Sequence, residues 1–171
     1  MTRGRAAALV VLRIIVGWHF LYEGYFKLAV PGWSRQGAPL TAWSASGYLH
    51  AASGPFAPAF HALAGSPLAG WTDLLVPIAL VLVGLSLTLG LFTQAGCWAA
   101  LALLTLFYLA MIPVTGVPMP NTEGAYLIVN KTLVEWCAVL VCLVFRTGEI
   151  AGVDSVLGGR RKPSPSSAVA M

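Results

Sequence analysis

The chain has 171 residues, of which 58% are hydrophobic and only 9% charged. Soluble domains carry about 25% charged residues, so most of this length belongs in a solvent that does not demand charge, and that solvent is lipid. The net charge of +4 is no sign of nucleic-acid binding, because the basic residues gather at the two ends, Arg3 and Arg5 against Arg160, Arg161 and Lys162, where they read as topological anchors.

The first element is an apolar segment from about Ala6 to Lys27, long enough to cross about 30 Å of hydrocarbon. Basic residues precede it as they would precede a secretory signal, but Arg13 interrupts the apolar run and no small-x-small site comes before Glu23, so it reads as an uncleaved helix. The connection from Leu28 to Trp71 is too long for a bare loop. Its aromatic residues, Trp33, Trp43, Tyr48, Phe56, Phe60 and Trp71, include the types that prefer the headgroup region. Short helices over Pro39–Leu49 and Pro55–Leu63 are expected there, capping the outer mouth of the protein, with Ser53-Gly54-Pro55 as the start of the second.

Further spans are predicted over Thr72–Phe92, Gly96–Pro113 and Ala125–Phe145. Only Thr93-Gln94-Ala95 separates the second from the third, which makes them a tight antiparallel hairpin. Gly148–Leu157 is expected to lie on the inner surface, and residues 160–171, rich in Pro and Ser, to be a disordered cytoplasmic tail. The fold class is therefore all-α, an integral membrane four-helix bundle in one domain, 1–159, with a short-helix extracytoplasmic cap between helices 1 and 2. Basic residues outside the helices concentrate at both termini, so both termini are assigned to the cytoplasm and the cap to the outside of the cell membrane.

Ionisable residues inside membrane helices cost about 2.5 to 3.5 kcal/mol each on insertion scales, and so mark structure or function. The first span carries Arg13, His19, Glu23 and Lys27, all within an arc of about 120° at helical spacing. Gly17 and Gly24 flank that arc and permit close approach of another helix. The fourth span carries Asn130, Lys131 and Glu135, and Lys131 and Glu135 share a face at i, i+4. Matching depths in two antiparallel helices pairs Glu23 with Lys131 and Arg13 with Glu135. Two readings of this cluster stand side by side: a structural clamp between helices, or a polar pocket for a redox or anionic ligand beneath the cap. Cys97, Cys137 and Cys142 form no C-x-x-C pair and read as small buried apolar residues. No haem-, flavin- or metal-ligating pattern is evident among the histidines His19, His50 and His61.

Three stretches carry a resemblance. Residues 17–28 read Gly-Trp-His-Phe-Leu-Tyr-Glu-Gly-Tyr-Phe-Lys-Leu, residues 84–93 Gly-Leu-Ser-Leu-Thr-Leu-Gly-Leu-Phe-Thr, and residues 123–135 Glu-Gly-Ala-Tyr-Leu-Ile-Val-Asn-Lys-Thr-Leu-Val-Glu. In this order they resemble the DoxX family, which includes DoxD-like small subunits of thiosulfate:quinone oxidoreductase, over about Arg13 to Asp154. Two departures stand out: Gln94 occupies a position where a basic residue is expected, and the second span has no carboxylate beyond Asp73. The resemblance implies a membrane subunit of a quinone-linked oxidoreductase, binding a quinone headgroup or a small sulfur oxyanion. Glu23 and Glu135 would be catalytic proton relays, and Arg13, His19, Lys27, Asn130 and Lys131 would bind the ligand. It also implies a partner redox subunit to deliver electrons, and association of the chain with itself is a further expectation. The alternative is a scaffold or assembly protein that docks a redox or envelope enzyme, its buried charges purely structural.

Overall fold

The computed structural model describes residues 1–29, 44–112 and 128–159. The first part of the cap with Trp33, Arg35 and Trp43, the predicted start of the fourth span at Ala125 and the 160–171 tail lie outside the described residues. Among the described residues the chain is helical and forms no strand: α1 is Arg3–Ala29, α2 Ala45–His50, α3 Ala57–Ala64, α4 Ala69–Leu89, α5 Thr93–Ala110, α6 Lys131–Val144, α7 Thr147–Ile150 and α8 Val153–Gly159.

Three of these, α1, α4 and α5, are long and apolar enough to cross a membrane. Their large apolar side chains turn outward, with Trp18 61%, Leu82 62% and Trp98 64% exposed. A surface like that is stable in hydrocarbon and costly in water. The core is thin by comparison and runs down the middle, through Phe20, Leu80, Val83, Leu87, Cys97, Leu104, Val139 and Cys142. Cys97 and Cys142 are the small buried residues that were expected, whereas Cys137 is exposed.

The tightest packing joins α1 to α4. A Cβ built on Gly17 would meet the backbone nitrogen of Thr88 at 2.6 Å, and one on Gly24 that of Val81 at 2.7 Å. Gly84 answers from α4, where a Cβ would run into the backbone of Leu21. Small residues at helical spacing let two backbones touch, which is how helices associate when lipid offers no hydrophobic drive.

Most helix ends fall a few residues from the sequence expectation, and two of the shifts bear on the site. The turn between α4 and α5 is Gly90 to Phe92, and Thr93-Gln94-Ala95 already belongs to α5. Gly90 at φ 67° ends α4 in the left-handed conformation that suits glycine. The carboxylate of Asp154 then accepts from the amides of Phe92 and Thr93, both at 2.8 Å, and starts α5 from a distant part of the chain. The fourth predicted span also starts later: α6 begins at Lys131, and residues 128–130 are not helical. Asn130 is its N-cap, with an extended backbone and a side-chain oxygen accepting from the amide of Leu133 at 3.0 Å. Its fourteen residues cover about 21 Å, less than α1, α4 or α5.

Helices α2 and α3 lie where short helices were expected in the connection before α4. Asp73 in the first turns of α4 accepts from the amide of Ala45 at 2.6 Å and from the hydroxyl of Ser44 at 3.3 Å, tying the start of α2 to α4. Ser53 donates its amide to the carbonyl of Ala110 at 2.8 Å, which fastens the segment between α2 and α3 to the end of α5.

A charged cavity between α1, α5 and α6

At the end that carries α2 and α3, the helices enclose a cavity of about 480 Å³. Five ionisable residues line it: His19, Glu23 and Lys27 from α1, and Lys131 and Glu135 from α6. The rest of the wall is mostly apolar, including Leu103, Leu106 and Phe107 of α5, with Tyr48, Thr72 and Thr132 adding hydroxyl groups.

The charges pair differently from the depth-matched expectation. His19 Nε2 lies 3.2 Å from Glu135 Oε1 and joins α1 to α6. Lys131 reaches the same Glu135 oxygen at 3.7 Å within α6, and Lys27 pairs with Glu23 within α1. Among the described residues no ion pair joins Glu23 to Lys131 or Arg13 to Glu135. The reason is local: Glu23 and Lys27, like Lys131 and Glu135, stand at i, i+4, where pairing fixes fewer side-chain torsions than reaching across helices does.

Arg13 leaves the cluster altogether. It is buried at 2% exposure near the other end of the helices, donating from Nη1 to the carbonyls of Thr147 at 2.8 Å and Ala151 at 2.5 Å. Six residues separate it from His19, about 9 Å along α1, and that rise puts it level with the far end of α6 rather than with Glu135. Asn130 is likewise outside the cavity wall. Its amide is spent at both ends, accepting from Leu133 and donating to the carbonyl of Met111 at 3.4 Å. Five of the seven sequence candidates line the cavity, and Arg13 and Asn130 do not.

The cavity also contains what the sequence did not single out. Leu103 and Phe107 look in sequence like any membrane-facing residues, and only the placement of α5 turns them toward the cavity. Tyr48 stood out as an aromatic of the cap. Its hydroxyl donates to the carbonyl of Phe107 at 3.2 Å, and its ring meets that of Phe107 edge-on at 6.0 Å, so it closes the cavity against α5.

Among the described residues that line the cavity, the two lysines Lys27 and Lys131 are matched in number by the two carboxylates Glu23 and Glu135. Such a wall suits a neutral, largely apolar molecule with one or two hydrogen-bonding groups better than it suits a free anion. Among the described residues, no group of three or more His, Cys, Asp or Glu side chains is placed to hold a metal ion. Compared with protein-family models, with curated proteins and with solved structures, the chain matches none of them.

Proposed function

We propose that this chain is a multi-pass protein of the cell membrane that binds a quinone headgroup in the cavity between α1, α5 and α6. In this reading α1, α4, α5 and α6 form a four-helix bundle, α2 and α3 belong to an extracytoplasmic cap, and both termini are cytoplasmic. The resemblance of residues 17–28, 84–93 and 123–135 to the DoxX family points the same way. The observation that carries the reading is the His19–Glu135 pair at 3.2 Å, set in a largely apolar cavity beside Lys131 and the Glu23–Lys27 pair.

The volume and lining fit such a ligand. Small-molecule sites run to about 300 to 1,000 Å³, mostly apolar with a few convergent polar groups. His19, Lys27 and Lys131 supply donors for a carbonyl oxygen, and Leu103, Leu106 and Phe107 flank the ring and the start of the tail. Glu135 holds the His19 imidazole in place, and as the quinone is reduced His19 would give a proton to its oxygen and regain one by way of Glu135. A bound quinone would contribute a two-electron, two-proton couple, and a partner redox subunit, as in a thiosulfate:quinone oxidoreductase, would exchange the electrons. Among the described lining residues two lysines face two carboxylates, and a neutral quinone needs no surplus positive charge there whereas a small sulfur oxyanion does.

The test is quinone binding by the purified full-length chain, read as a co-extracted quinone whose ultraviolet absorbance changes on reduction. Glu135→Gln and His19→Gln should each weaken binding by about tenfold or more while the protein stays folded. Normal binding in both variants would sink the pocket and leave the scaffold reading, in which the cluster only braces α1 against α6.

A further inference from the structure

Two of the three histidines, without any metal-ligand spacing in sequence, are brought together by the fold. His50 ends α2 and His61 stands in the second turn of α3. Their rings lie 6.5 Å apart, centroid to centroid, with planes within 20° of parallel, and both residues are exposed.

Each ring is held through one nitrogen. His50 Nδ1 lies 2.8 Å from the carbonyl of Ser46, and His61 Nε2 lies 3.2 Å from the carbonyl of Ala52. A carbonyl can only accept, so these two nitrogens carry the protons. In the neutral rings the lone pairs then stand on His50 Nε2 and His61 Nδ1. Neither of those nitrogens has a hydrogen-bond partner among the described residues. An imidazole oriented by a carbonyl at one nitrogen and open at the other is the form in which histidine ligates a metal.

The separation suits one shared ion. Metal–nitrogen bonds of about 2.0 Å put two imidazole centroids about 6.4 Å apart when they bind from opposite sides of the ion, and about 5 Å apart at a tetrahedral angle. Small rotations of two exposed side chains bring 6.5 Å into that range. Imidazole donors suit copper, nickel and zinc, whereas calcium and magnesium take oxygen. No third His, Cys, Asp or Glu joins the pair among the described residues, so water completes the coordination.

We propose that His50 and His61 form a two-imidazole site for a first-row transition-metal cation, with Cu²⁺ the tightest of the series. Leu49 and Phe60, their neighbours in sequence, line the cavity, so a bound ion clips together the two short helices beside it. The site stands independently of the quinone reading.

The test is titration of the full-length chain with Cu²⁺ against a weak chelator, in a Cys137→Ala background that removes the exposed thiol. One equivalent should bind, and its electron paramagnetic resonance spectrum should show coupling to two imidazole nitrogens. Loss of a mere outer-shell partner costs about 10- to 100-fold in metal affinity, so His50→Gln and His61→Gln should each weaken binding at least about tenfold. Zn²⁺ should raise the unfolding temperature of the parent and not that of the double substitution, while the two proteins unfold alike without metal. Copper held equally by the double substitution, or by fewer than two nitrogens in the parent, would overturn the site.

Discussion

His19 Nε2 on α1 and Glu135 Oε1 on α6 lie 3.2 Å apart, a side-chain contact that joins these two helices. Lys131 also reaches Glu135, but at 3.7 Å and with its side chain 68% exposed, so it adds little. A double-mutant cycle on His19→Phe and Glu135→Leu, read by unfolding in detergent, should give a coupling of about 1 to 3 kcal/mol. The same cycle on Glu23 and Lys131 should give about zero. A large coupling there and none between His19 and Glu135 would reverse the pairing described above.

Arg13 answers a different question. Replacing it by Met takes its donor from the carbonyl of Ala151 and leaves that of Thr147 with only the long bond from the Ala151 amide at 3.5 Å, and should cost about 2 to 4 kcal/mol. Arg13→Lys should recover only part of that, since a single ammonium does not reproduce the planar guanidinium. Quinone binding at a temperature where the variant is folded should be unchanged, because the cavity lies about 9 Å further along α1. Loss of binding in a folded Arg13→Met protein would return Arg13 to the site.

The polar face of α1 was legible because helical spacing alone puts His19, Glu23 and Lys27 on one side. The partners were not, because depth matching across two helices is coarse by a turn, and an i, i+4 neighbour then wins on entropy. Asn130 is the N-cap of α6: an Asn immediately before an apolar helical run is an N-cap signal, which a span of about 20 residues drawn through it conceals. The cavity wall from α5 left no trace in sequence, since Leu103 and Phe107 differ in no way from residues that face lipid. Asp154 was equally silent, being a single acid some sixty residues from the amides that it caps.

Gly84 is the packing position least able to change. A Cβ there would fall on the backbone of Leu21, which cannot swing away as a side-chain tip can. Gly84→Ala should destabilise the protein by about 3 kcal/mol or more and lower its unfolding temperature, whereas Gly70→Ala, with nothing within 4 Å, should be stabilising or neutral. Equal effects at the two positions would contradict the close α1–α4 contact.

Asp154 gives a pH dependence of defined sign. Partial burial works against its charged form, but the amides of Thr93 and Phe92 and the nearby Arg13 guanidinium outweigh it and hold the carboxyl below its ordinary 3.8. A carboxylate with a depressed pKa in the folded state stabilises the fold above its unfolded pKa, and that contribution fades as pH falls through the folded value. Unfolding stability should therefore drop as pH is lowered from about 4. Asp154→Asn should remove that part of the drop and lower stability at neutral pH. An unchanged acid limb in Asp154→Asn would mean that its charge does not help hold α8 to the α4–α5 turn.

A cavity-filling change separates a pocket from a clamp most directly. Leu103 lines the cavity and packs at the edge of the core, so Leu103→Trp has open space to enter. If the cluster only braces α1 against α6, added bulk that leaves His19 and Glu135 in place should change stability slightly and nothing else. If the cavity holds a quinone, the indole occupies the volume that the ring needs, and binding should fall by about a hundredfold in a protein no less stable than the parent. Because Trp is the largest side chain, Leu103→Ala serves as the opposite control. It enlarges the cavity, should cost about 2 to 3 kcal/mol at a partly buried site, and should leave binding within a few fold. The paired readout is thermal unfolding and the absorbance of bound quinone on the same samples. Full binding by a stable Leu103→Trp protein would show that whatever this chain binds does not sit between α1, α5 and α6.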